Sequence, residues 1–137
     1  MLTISQERVH MLEVKGGILK DIIPGKNTVI IHGCNCFHIM GAGIAAYLRK
    51  EYPAVYRADC KTIRGIMSKM GTYSKAQITH NLVVLNCYTQ YGIGREKNNT
   101  PPVKYSSIRK CLRSINTEYD GWEIRTPKIG CGLAGGD

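Results

Sequence analysis

At 137 residues, with 43% apolar and 21% charged residues, the chain has the size and composition of one folded domain and excludes a disordered segment. No apolar run approaches the roughly 20 residues of a membrane span, and MLTISQERVH lacks the pattern of a secretory leader, so a cytoplasmic protein is expected. The net charge of +9 points to an anionic partner, but Lys and Arg are scattered and no basic run alternates with stacking aromatics, which disfavours nucleic acid.

In chain order, Val9 to Val14 reads as a short strand ended by Gly16-Gly17, and Pro24-Gly25-Lys26-Asn27 as a turn. The β-branched run TVIIH, Thr28 to His32, predicts a buried strand. Gly33 to Gly41 is a loop. From Ala42 to Tyr52 the spacing of Ile44, Tyr47, Leu48 and Tyr52 predicts a helix, with Arg49, Lys50 and Glu51 facing away. Pro53 opens a second helix to about Ile63. Strands follow at Gly71 to Gln77 and Asn81 to Cys87, then a long loop from Gln90 to Pro102. Val103 to Ile115 is an amphipathic helix with Ile108, Cys111, Leu112 and Ile115 as its stripe. Glu123 to Lys128 is a last strand before the glycine-rich GCGLAGG, Gly130 to Gly136. Strands alternating with helices predict an α/β layer fold with a parallel or mixed sheet.

Both glycine-rich segments directly follow predicted strands, so they can face one another at the carboxyl edge of the sheet, where ligands of open α/β sheets sit. Glycines let backbone amides approach a ligand, and Gly41-Ala42-Gly43 also opens a helix whose N-terminal amides favour an anion. GAGIAA also fits the G-x-G-x-x-G/A fingerprint of dinucleotide sites, but eight residues separate His32 from Gly41 and the acidic ribose ligand is missing, so nicotinamide binding fits poorly. The alternating His32, Cys34, Cys36 and His38 lack the spacing of zinc ligands, and neither a metal nor a cofactor is expected. The six cysteines are read as reduced, mostly buried thiols.

Asn35, the loop to Gly41-Ala42-Gly43-Ile44-Ala45, Tyr52-Pro53, and Gly130 to Asp137 together resemble a macro domain, in particular the ADP-ribose 1''-phosphate phosphatase branch with its yeast and phage relatives. The resemblance runs from about Val14 to Asp137. It implies a three-layer α/β/α fold around a central mixed sheet, residues 1–137 forming one macro domain that stops short of the family's closing helix. It also implies a monomer whose partner is ADP-ribose, ADP-ribose 1''-phosphate or an ADP-ribosylated protein, in the host cytoplasm if the source is viral. On this sequence, Gly17 and Ile18 match the segment that reads adenine, and Asn35 matches the Asn at the distal ribose. Gly41, Ala42, Gly43 and Ile44 match the first loop, and Gly130, Cys131, Gly132, Leu133, Ala134 and Gly135 the diphosphate loop. Gly17 stands where many macro domains have an Asp for the adenine amino group, so adenine contact falls to the Ile18 amide.

The implied activity is hydrolysis of ADP-ribose 1''-phosphate to ADP-ribose and phosphate. From loop placement, Asn35 would orient the ribose, His38 act as acid or base, and Asp137 position a water. The alternatives are a non-catalytic reader of ADP-ribose and an ADP-ribosyl glycohydrolase. For the last, Lys75 is the candidate nucleophile, and Ala134 stands where that branch has an acid.

Overall fold

The computed structural model describes residues 2–4, 11–13, 18–94 and 102–127. Its strands are β1 (Leu2–Ile4), β2 (Met11–Glu13), β3 (Thr28–Cys34), β4 (Tyr73–Thr79), β5 (Leu82–Tyr88) and β6 (Glu123–Thr126). Its α-helices are α1 (Gly43–Glu51), α2 (Pro53–Cys60) and α3 (Tyr105–Glu118). They form one six-stranded mixed sheet in the order β2-β1-β6-β3-β5-β4. The central three strands, β6, β3 and β5, are parallel, while β4 and β1 run antiparallel to their neighbours.

Side chains of β3 and β5 alternate between two cores, as the pleat requires. Ile30, Cys34, Val84 and Tyr88 pack with Leu48 of α1 and Val55 of α2. Val29, Ile31, Val83, Leu85 and Cys87 pack with Cys111 and Ile115 of α3. The helices therefore cover both faces and give the three-layer α/β/α architecture. Strands covered on both faces read as continuous apolar runs, which explains why TVIIH and LVVLNC carry the strongest strand signals.

Where the structure departs from the sequence-based elements, the cause is local. The second helix ends at Cys60, not near Ile63, because the Asp59 carbonyl accepts from both the amide (3.0 Å) and the hydroxyl (2.6 Å) of Thr62 and closes it. Tyr47 is 43% exposed rather than part of the inner stripe; Leu48 is the buried side chain of α1. β4 begins at Tyr73, two residues later than predicted, because Gly71 sits in a turn at φ +83° with its amide on the Tyr88 carbonyl, 2.8 Å. α3 runs three residues past Ile115, through Asn116–Glu118, which carry no apolar signal. β1 was not predicted at all. It is three residues long and exists by pairing with β2 on one side and β6 on the other.

One polar pair is sealed inside the sheet. His32, fully buried, donates from Nε2 to Asn86 Oδ1 at 2.6 Å. Burial holds its pKa below the ordinary histidine value of about 6.5, against the opposing pull of the Asn86 bond. The unfolded chain therefore takes up a proton near pH 6.5 that the folded chain refuses. Stability from this residue is complete above that pH and is lost as pH falls toward the lower folded pKa, by at most about 1.4 kcal/mol per pH unit. Urea midpoints measured from pH 7.5 to 5 are expected to fall on the acid side, and His32→Gln to remove one proton's worth of that slope. Equal slopes for the two proteins would refute the assignment.

Candidate functional site at the carboxyl edge of the sheet

β3, β5 and β6 all end at one edge, and the segments leaving it form the candidate site. Residues 35–42 leave β3 and lead into α1, and residues 89–91 continue β5. The chain leaves β6 beside β3 at the same edge. Of the expected site residues, Gly17, Gly130 to Gly135 and Asp137 lie outside the described residues, and Ile18, Asn35, His38, Gly41, Ala42, Gly43 and Ile44 lie within them.

The loop after β3 is built around Asn35. Its carboxamide oxygen accepts from the Phe37 amide at 2.9 Å and its nitrogen donates to the Ile39 carbonyl at 2.8 Å. This folds the loop on itself, a turn chemistry Asn favours. Cys36 and Met40 anchor the loop in the core below α1 and α2. The Cys36 amide donates to Tyr91 and its carbonyl accepts from Gly65 at 2.7 Å, so the loop is clamped between the turns at 61–65 and 90–92. Phe37 stacks edge-on to Tyr91, 4.8 Å between centroids.

His38 sits in the left-handed region at φ +59°, unusual for a residue with a side chain. Two contacts hold it there. Tyr56 donates to the His38 carbonyl at 3.1 Å, and His38 Nε2 lies 2.9 Å from the Thr62 carbonyl and 3.1 Å from its hydroxyl. A carbonyl only accepts, so Nε2 carries a proton, and in the uncharged tautomer Nδ1 is then the bare acceptor nitrogen.

Gly41, Ala42 and Gly43 are exposed, and a Cβ at Gly41 or Gly43 would meet nothing within 4 Å. Gly43 adopts φ +59°, where a side chain would strain the backbone. α1 starts there with no side-chain cap and no acid in its first turn, and α3, which starts from the loop after β5, also lacks both. Helix N-termini without acidic caps attract anions through their free amides and dipole.

Ile18 has its side chain in the core, and its segment is held by a buried arginine. Arg125 of β6 donates to the carbonyls of Lys20 and, at 2.8 Å, Asp21, with the Ile18 carbonyl 3.4 Å away. Sequence reasoning missed Arg125, whose place within the EIRT strand gave no sign that it faces inward.

No protein-family model matches the chain. It is 36% identical over 132 residues to an uncharacterised 17.5 kDa protein from the tk-vs intergenic region of Enterobacteria phage T4, covering 90% of this chain and 80% of that one. A shorter match, 42% identical over 45 residues, is to an ADP-ribose 1''-phosphate phosphatase of Scheffersomyces stipitis, covering 31% of this chain and 26% of that protein. Among solved structures, a macrodomain protein of Streptomyces coelicolor superposes with a TM-score of 0.59 at 23% identity, over 88% of this chain and 78% of that one. The macrodomain of Mycobacterium tuberculosis DarG superposes with a TM-score of 0.62 at 19% identity, over 90% and 79%. The chain has the macrodomain fold and belongs to one family with the phage T4 protein.

In this macrodomain the candidate lysine lies away from the edge. Lys75, opposite Leu85 in the middle of β5, faces the α3 layer, where its ammonium bonds the Glu118 carboxylate and lies 5.2 Å from the Tyr119 ring centroid. The Glu118 bond raises its pKa, so it stays a cation rather than the free amine a nucleophile needs. The zinc alternative finds no convergence either. Among the described residues no three His, Cys, Asp or Glu side chains gather, and burial pushes the thiols of Cys34 and Cys36 upward, away from the thiolate form.

Proposed function

We propose that this macrodomain binds ADP-ribose at the carboxyl edge of β3, β5 and β6 and hydrolyses ADP-ribose 1''-phosphate to ADP-ribose and phosphate. The observation that carries the reading is the open, uncapped start of α1 at Gly41-Ala42-Gly43, reached from β3, whose parallel neighbour β6 leads into the glycine-rich sequence 130–136. Amides from two such segments suit a diphosphate, whose charge needs no basic side chain there. The partial likeness to the Scheffersomyces phosphatase supports the choice of substrate. In this reading Ile18 lies under adenine, Asn35 shapes the loop at the distal ribose, and the bare Nδ1 of His38 receives or returns the proton of the attacking water. Asp137 positions that water.

A second reading, a reader of ADP-ribose or ADP-ribosylated protein without turnover, is favoured by one observation. The Asn35 carboxamide and His38 Nε2 already have partners inside the protein. Phosphorus NMR of ADP-ribose 1''-phosphate with the purified protein separates the two. Loss of the monoester signal with growth of free phosphate and an intact diphosphate is expected, together with a roughly 100-fold slower turnover in His38→Ala. A perturbed diphosphate signal without turnover selects the reader, and unchanged spectra refute both.

A further inference from the structure

The loop at the site is joined to a buried polar cluster whose parts the sequence scatters over four elements. Asn86 Nδ2, fully buried on β5, donates to the Val55 carbonyl of α2 at 3.0 Å and to Ser74 Oγ of β4 at 2.9 Å. Ser74 meets the Tyr88 hydroxyl at 2.8 Å, and that hydroxyl donates to Asp59 Oδ1 at 2.7 Å. Lys69, only 8% exposed, sends its ammonium to Thr62 Oγ1 at 2.9 Å and lies 4.5 Å from the centre of the Tyr88 ring. Thr62 Oγ1 in turn gives its hydrogen to the Asp59 carbonyl and faces His38 Nε2.

A buried ammonium and a buried carboxylate cost free energy to desolvate and are kept only where other interactions recover it. The ammonium bonds Thr62 Oγ1 directly, the carboxylate reaches it through the Tyr88 hydroxyl, 3.4 Å from Thr62 Oγ1, and Thr62 touches the site loop. We propose that Thr62 is the positioning residue of the ADP-ribose site, holding the His38 ring with its proton on Nε2 and the 35–42 loop in its left-handed bend; this rests on the ligand reading given above. The hydroxyl has one hydrogen, and the Asp59 carbonyl takes it. Its lone pairs are thereby left to Lys69 and to the Nε2 proton. Lys69 fixes which way the hydroxyl turns, and Thr62 transmits that choice to His38. A methyl in place of the hydroxyl leaves Nε2 with the carbonyl alone and strands the ammonium.

The test compares Thr62→Val, Thr62→Ser and Lys69→Met with the wild-type chain by three readouts: long-range nitrogen–proton NMR of the His38 ring, calorimetric titration with ADP-ribose, and thermal unfolding. The wild type is expected to show one His38 tautomer, with the proton on Nε2. Thr62→Val is expected to mix tautomers and raise the ADP-ribose Kd about tenfold, as misplacement of a binding loop does, and Thr62→Ser to restore both. Lys69→Met is expected to move both readouts in the same direction by less, and it carries the test if Thr62→Val does not fold. A lower melting temperature with unchanged tautomer and Kd would make Thr62 merely structural and overturn the proposal. A wild-type chain that binds no ADP-ribose overturns the ligand reading itself, whereas one that binds it equally well in Thr62→Val overturns the positioning role alone.

Discussion

Gly41→Asp is expected to raise the Kd for ADP-ribose about a hundredfold while leaving the melting temperature unchanged or slightly higher. Gly41 is exposed, a Cβ there meets nothing within 4 Å, and its backbone is not in the left-handed region, so the fold accepts a side chain. The new carboxylate lies two residues before α1, a helix with no acid in its first turn. For the folded protein alone that is favourable by about 0.3–1 kcal/mol. For a bound diphosphate it is the reverse. Two like charges about 6 Å apart repel by about 3 kcal/mol at an effective dielectric near 20, which is about two decades in affinity. Calorimetric titration and a thermal scan of the same preparation read both signs. Gly41→Asn, of like shape and no charge, is expected to bind within a few-fold of wild type. An aspartate variant that binds ADP-ribose as the wild type does would remove the ligand from this helix start.

Asn86→Ala is expected to cost about 3–5 kcal/mol of stability and to lower the melting temperature by roughly 10–20 °C. Asn86 is fully buried and satisfies three partners from three elements: His32 of β3, the Val55 carbonyl of α2 and Ser74 of β4. Truncation orphans His32 Nε2 where water does not reach and takes a partner from the Val55 carbonyl and from Ser74, which keeps Tyr88; a buried group left unpaired costs about 1–3 kcal/mol. The cavity left behind adds to this. Urea unfolding at pH 7.5, where His32 is neutral, gives the value. A loss below 1 kcal/mol would mean that the network rearranges around the gap and that Asn86 is not its centre.

The two variants mark different degrees of legibility in the sequence. Gly41 is visible in it because a helix start preceded by G-A-G has few other uses and because the apolar periodicity places the helix directly after it. Asn86 sits in NLVVLNC, where it reads as the polar end of an apolar strand. Nothing local says that it lies one layer deep opposite His32, since their pairing depends on the parallel register of β3 with β5 across 54 residues. The same holds for Thr62, which reads as the tail of a helix and instead terminates it. It holds for Lys69 too, whose type belongs on the surface and which is nonetheless buried against Tyr88.

By itself the sequence determined the order of the strands and helices that carry the site, the two cores through the β-branched runs of β3 and β5, and the glycine-rich loop with the helix it opens. These are set by short-range chemistry: hydrophobic period, proline at a helix start, and glycine where backbone must stay bare. Only the tertiary structure decided that β1 pairs with β6 and that Arg125 turns inward to hold residues 18–21. It also turned Lys75 toward Glu118 on the opposite face from α1 and α2, and brought Asp59, Thr62, Lys69 and Tyr88 beneath His38. Those contacts join residues far apart in the chain. A polar side chain's partner is chosen by which layer and register it lands in, and no local pattern records that choice.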